Sequence, residues 1–148
     1  MDGAAELGWE LSTAVVVFHE AVARRLGLSA IDHKALGIVA RQGPLPAGAL
    51  AGELGFGASA ITALVDRLER AGYVRRVPDP ADRRRVLVTA TSGQTPDLGM
   101  IFADLGREMG AFLAEYDERE LALILDYVTK TIAVLKAQTA RLSSAGEA

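Results

Sequence analysis

The chain has 148 residues, of which 50% are apolar, no cysteine and a formal net charge of −3. That length suits one domain or two small lobes sharing a core, and the missing thiols exclude disulfide scaffolds, thiolate zinc sites, cysteine nucleophiles and thiol-based redox sensing. The opening MDGAAELGWELSTAVVVF carries acids where a signal peptide carries basic residues, and no uncharged apolar run reaches the roughly 20 residues of a membrane span, so a soluble, cytoplasmic protein with no membrane partner is expected.

In chain order, the first predicted element is a long amphipathic helix, with Leu7, Leu11, Ala14, Val15, Phe18, Val22 and Leu26 on one stripe that stops near Gly27. Ser29 is placed to cap a second helix carrying Ala35, Leu36 and Val39, which ends before the breaker QGPLP. Pro46 suits the first turn of a short helix holding Leu50, Ala51 and Leu54. After the tight turn Gly55-Phe56-Gly57, ASAITALVDRLERAG reads as a helix with Ile61, Leu64, Val65 and Leu68 inward and Gly72 just past its end. Tyr73 to Val77 and Arg85 to Thr89 read as strands joined through PDPAD into a hairpin. Two further amphipathic helices follow: Leu98, Ile101, Phe102, Leu105, Met109, Phe112, Leu113 and Tyr116 form one stripe; Leu121, Ile124, Leu125, Val128, Ile132, Leu135 and Leu142 form the next. The three terminal stripes carry more apolar face than the short middle elements can cover, which predicts a homodimer built from them.

Charge is distributed unevenly along these elements. Residues 57–90 sum to +3, residues 1–56 to −2 and residues 95–148 to −4. Five of the thirteen arginines lie in RRVPDPADRRR, residues 75–85, on and around the hairpin tip. Like charges this close repel unless solvent or an anionic partner takes them up, and phosphate binding responds to the local field rather than to net charge. Two short helices, a tight turn and a basic hairpin make a winged helix-turn-helix. Its spacing is specific: Ala51 is small where the helices cross, Gly55 permits the left-handed turn, and Ile61 packs the second helix on the first.

With GLSAIDHKAL, GPLPAGALAGELG, AITALVDRLERAGYVRR and DPADRRRVLVTAT in place, the sequence resembles the MarR family of bacterial transcriptional regulators over nearly its whole length. The resemblance implies a mainly α fold with a small β-wing: residues 1–28 a dimerisation helix, 29–92 the DNA-binding lobe and 93–148 the C-terminal dimerisation helices. It implies double-stranded DNA, a second copy of the chain and a small-molecule effector as partners, and a repressor released from a palindromic operator. Carried over by position, Ser59, Thr62, Ala63, Asp66 and Arg67 face the major groove. Asp82 orients the wing tip, and Arg84 enters the minor groove, where narrow walls concentrate negative potential. Arg75 and Arg76, on the rising strand, are expected within reach of sugar and phosphate, and Arg83 and Arg85 are counted among the DNA-binding residues. The sequence departs from the family pattern where Pro46 and Ala49 replace a capping box, and where Gly57, Ala58 and Ala63 leave few side-chain donors on the recognition helix.

His19 and His33 are the two histidines. With no acid cluster at ligand spacing beside either, no metal site is expected; the resemblance implies a small-molecule pocket where the dimerisation helices meet the DNA-binding lobe, with both histidines at its border. No cofactor motif or catalytic set occurs: there is no phosphate loop, no H-E-x-x-H and no G-x-S-x-G. The chain is therefore read as a non-enzyme. Two alternatives stay open at this point: a winged-helix module that binds protein, favoured by the alanine-rich recognition helix, and a small-molecule-binding enzyme.

Overall fold

A computed structural model describes residues 2–91 and 96–145. The expected domain junction at 92–93 and the side chain of Leu98 lie outside the described residues. The chain divides into two units, Met1–Thr95 and Pro96–Ala148.

The first unit opens with helix α1, Asp2–Leu26. Helix α2, Ala30–Gln42, starts at Ser29, whose Oγ accepts the Asp32 N–H at 3.1 Å. This satisfies one of the amide donors that every helix start leaves open. Next come strand β1, Leu45–Pro46, helix α3, Ala47–Leu54, and helix α4, Ala58–Arg70. Strands β2, Val74–Pro78, and β3, Val86–Ala90, complete the unit. The hairpin expected from sequence is present, one residue later at each strand.

β1 is an element that the sequence did not announce. It pairs antiparallel with β3, Leu45 opposite Val88 and Pro46 opposite Leu87, giving a three-stranded sheet of order β1-β3-β2. Two residues are too few for the alternation that marks a strand. Pro46 thus stands one position before its expected place in the first helical turn: it is the residue at the start of α3, extended and without a side-chain cap.

The turn between α3 and α4 follows the sequence closely. Gly55 adopts φ 68, ψ 33, a left-handed conformation that lets the Phe56 N–H reach the Ala51 carbonyl at 3.0 Å. Gly72, at φ 82, ends α4 with the Tyr73 N–H on the Leu68 carbonyl at 3.0 Å, so the chain reverses directly into β2. Ile61, Leu64, Val65 and Leu68 of α4 are buried together with Val22 and Ala23 of α1, Ala35, Leu36 and Val39 of α2, Leu45, Leu50, Val74 and Val88. Each large side chain removed from water in this way contributes about 2 kcal/mol. The core therefore seats α4 and the wing on one base.

The second unit consists of α5, Pro96–Leu113, and α6, Glu118–Ala145. Asp117 and Glu120 form a reciprocal cap at the start of α6: Asp117 Oδ1 accepts the Glu120 N–H at 2.9 Å and Glu120 Oε2 accepts the Asp117 N–H at 2.9 Å. The acids of YDERE are thus helix-start residues, as their position near the positive end of the helix dipole predicts. Among the described residues no single helix is long and apolar enough to cross a membrane.

Candidate nucleic-acid interface

The outward side of α4 bears Ser59, Thr62 and Ala63, all exposed. Thr62 donates its hydroxyl proton to the Ala58 carbonyl at 2.9 Å, so its oxygen faces outward chiefly as an acceptor. Arg67 lies on the same helix with its side chain 47% exposed, and its guanidinium is gripped from behind. Nε and Nη2 meet the two oxygens of Asp32 at 2.9 and 2.7 Å, a fork-to-fork pair between α4 and the first turn of α2. Asp32 is buried, and a carboxylate taken out of water needs such a partner. Arg67 is therefore fixed in direction, with Nη1 outside the fork.

A second arginine is held more completely. Arg76 on β2 places Nη2 2.7 Å from Asp66 and Nη1 2.6 Å from Glu69, and its backbone N–H donates to Glu69 at 3.0 Å. Those bonds, the backbone one first, keep the Glu69 carboxyl below the usual carboxylate pKa range. Sequence reasoning treats Arg75 and Arg76 alike; the structure separates them. Arg75, pointing to the opposite face by the two-residue alternation of a strand, is exposed, and among the described residues it forms no ion pair.

At the hairpin tip the backbone is tied by acids. Asp82 Oδ1 accepts the Arg84 N–H at 3.0 Å, the Asp82 carbonyl accepts the Arg85 N–H at 2.9 Å, and Asp79 Oδ1 accepts the Ala81 N–H at 2.9 Å. Asp82 thus braces the tip through the backbone amides of Arg84 and Arg85. Arg83, Arg84 and Arg85 are all exposed, and no carboxylate among the described residues pairs with any of them.

His19 and His33 do come together. Their rings lie 5.6 Å apart, and Lys34 Nζ approaches His19 Nε2 at 2.6 Å. With Nε2 accepting from the ammonium, the proton of the neutral ring sits on Nδ1, a buried nitrogen with no hydrogen-bond partner among the described residues. Burial first, and then the Lys34 charge, lowers the His19 pKa; burial, His19 and Lys34 lower that of His33. Both shifts favour the neutral imidazole. Among the described residues no group of three or more His, Asp or Glu could hold a metal ion.

A sequence profile described as MarR family matches residues 26–85, the stretch from the last residue of α1 to the residue before β3. An HTH-type transcriptional regulator of Bacillus subtilis, YcgE, is 39% identical over 139 residues, covering 94% of this chain and 90% of that protein. The chain belongs to the MarR family. It is a winged helix-turn-helix, DNA-binding transcriptional regulator and not an enzyme. Solved structures share the fold. The Thermotoga maritima regulator Tm0710 superposes with a TM-score of 0.60 at 26% identity, over 93% of this chain and 97% of that one. Streptococcus pneumoniae FabT, solved in complex with DNA, superposes at 0.75 with 19% identity, over 93% of this chain and 98% of that one.

Within this MarR fold, three residues matter that sequence reasoning passed over: Asp32, Glu69 and Lys34. Asp32 had a legible signal, since a charge beside Ala35 and Leu36 on the inward side of a helix demands a partner. The identity of that partner, 35 residues away, had none.

Proposed function

We propose that the chain binds a palindromic duplex operator as a homodimer, and that it is a repressor released when a small molecule binds beside His19 and His33. The observation that carries the DNA-reading part is the wing tip: three consecutive exposed arginines, unpaired among the described residues, on a backbone braced by Asp79 and Asp82. An unpaired guanidinium cluster on a narrow hairpin fits the negative potential of a minor groove. On this reading Arg84 enters the groove, while Arg75, Arg83 and Arg85 meet phosphate. Ser59, Thr62, Ala63, Asp66 and Arg67 look into the adjacent major groove. So few side-chain donors on α4 shift discrimination toward the wing and DNA shape.

Support for the dimer comes from apolar faces that the single chain leaves in water. Leu7, Leu11 and Val15 on α1 and Leu125, Ile132 and Leu135 on α6 are between 47% and 66% exposed. Contiguous apolar stripes of this length mark association surfaces. Residues 1–28 and 93–148 then serve dimerisation and residues 29–92 serve DNA. Support for the effector comes from the buried Nδ1 of His19, a donor in want of an acceptor, next to the Lys34 ammonium. Selection of binding sequences from random duplexes over a salt series tests the reading: a palindrome of two half-sites about one helical turn apart is expected, and recovery of no preferred sequence would refute it.

A further inference from the structure

The two arginines that open the basic run do different work. We propose that Arg76 is a positioning residue, which sets the angle between the recognition helix and the wing through Asp66 and Glu69 and does not neutralise a DNA phosphate. The inference rests on the DNA-reading role proposed above.

Its first ground is the completeness of the contact. Both oxygens of Glu69 are occupied by Arg76, one by the backbone N–H at 3.0 Å and one by Nη1 at 2.6 Å, and Nη2 goes to Asp66 at 2.7 Å. One strand residue therefore holds two carboxylates that stand three apart on α4, on neighbouring turns of one helix face. The second ground is charge. Asp66, Glu69 and Arg76 together carry −1, so turning this guanidinium to a phosphate would bare two carboxylates beside the DNA backbone. Arg75, one residue earlier, has no such claim on it. The third ground is the opposite flank of α4, where the Arg67 fork on Asp32 ties the helix to α2. The recognition helix is pinned on both sides, and Arg76 is the pin on the wing side.

The angle matters because the wing is a lever. From Arg76 the strand runs two more residues to Pro78, about 7 Å at roughly 3.3 Å per residue, and carries the turn at residues 79–85 beyond its end. A 10° error at its base then moves the strand end by about 1 Å and the tip by more, enough to spoil a hydrogen bond. A reader that must engage two grooves at once loses its match to a particular sequence before it loses its general attraction to phosphate. Glu69 makes the idea sharply testable, since removing a negative charge near DNA should tighten binding by charge alone, whereas the pin predicts the reverse.

The experiment uses the full-length protein, the duplex that the wild type selects from a random pool, and a scrambled duplex of equal composition. Arg76→Ala is expected to weaken binding to the selected duplex about tenfold and to the scrambled one less than about twofold, with the slope of log affinity against log salt unchanged. Glu69→Ala is expected to give a similar loss, and the double variant no more than either single one, because the two act through one contact. Arg76→Lys and Glu69→Gln, each retaining part of the contact, should fall between. If Arg76→Ala does not fold, as judged by circular dichroism, Glu69→Gln carries the test, since its amide oxygen still accepts the Arg76 N–H. Equal weakening of both duplexes with a salt slope reduced by about one would make Arg76 a phosphate contact and overturn the proposal. So would tighter binding by Glu69→Ala or Glu69→Gln. A wild type that selects no sequence at all removes the DNA-reading role itself, and this inference with it.

Discussion

The lobe formed by α2 through β3 and the long helices at the two ends of the chain satisfy their apolar residues in opposite ways. In the lobe, Leu50, Ile61, Leu64 and Leu68 are at most 2% exposed. On α6, Leu125, Ile132, Val134 and Leu135 are 50–64% exposed although the helix is as rich in leucine and isoleucine. The lobe is finished within one chain, while the terminal helices leave large apolar side chains exposed, the surface that the proposed dimer would cover. The contrast separates what the lobe needs in order to fold locally from what the proposed dimer would need in order to assemble.

The largest effect should come from breaking the unfinished side. Ile132→Glu sets a charge that a dimer would bury unpaired, at a cost on the order of several kcal/mol, so sedimentation should show monomer and thermal stability should lose its dependence on protein concentration. A wild type that sediments as a stable monomer would remove the contrast. Leu64→Ala strikes the finished side. It leaves a cavity in the lobe and should cost about 3 kcal/mol, measured by urea unfolding, while the protein remains dimeric under the same sedimentation conditions.

Smaller effects sharpen the picture within the lobe. Arg84→Ala should cost about 1–2 kcal/mol of operator affinity and relax preference for A·T-rich flanks. Asp82→Ala should reproduce part of that loss, since it frees the Arg84 backbone, even though net charge alone predicts tighter binding; titrations of both variants decide the sign. The smallest effect is electrostatic and internal. His19 and His33 have lowered pKa values when folded, so below the unfolded value of about 6.5 the unfolded chain binds more protons than the native one. Stability should therefore be full above that pH and decline as the pH falls toward the folded values. His33→Gln should flatten the decline in urea unfolding followed from pH 7.5 to 5.

Much of the fold was legible because its signals are local. The Ser29 cap, the left-handed Gly55, the four inward residues of α4 and the acids at the start of α6 each act within one or two helical turns, and the structure shows each where the spacing put it. The candidate site was less legible. Arg67, Arg75, Arg76 and Arg84 are the same residue type in one basic region, and sequence alone assigned all of them to DNA. What separates them is whether a carboxylate on another element stands opposite, which depends on how α2, α4 and β2 pack. β1 escaped notice for a related reason: its two residues become a strand only because β3 lies alongside.

β2 is an outer strand, and such an edge invites other extended chains to add to it, the usual beginning of aggregation in β-containing proteins. Here the outward N–H of Arg76 is already occupied by Glu69, and two residues further along the same edge Pro78 has no N–H to offer. A foreign strand arriving at this edge would find its hydrogen-bonding ladder interrupted at consecutive rungs. A protein whose basic hairpin must stay exposed is thereby protected from growing fibrils through it, and Pro78→Val, which restores a donor, should raise the rate of fibril formation seen by thioflavin fluorescence.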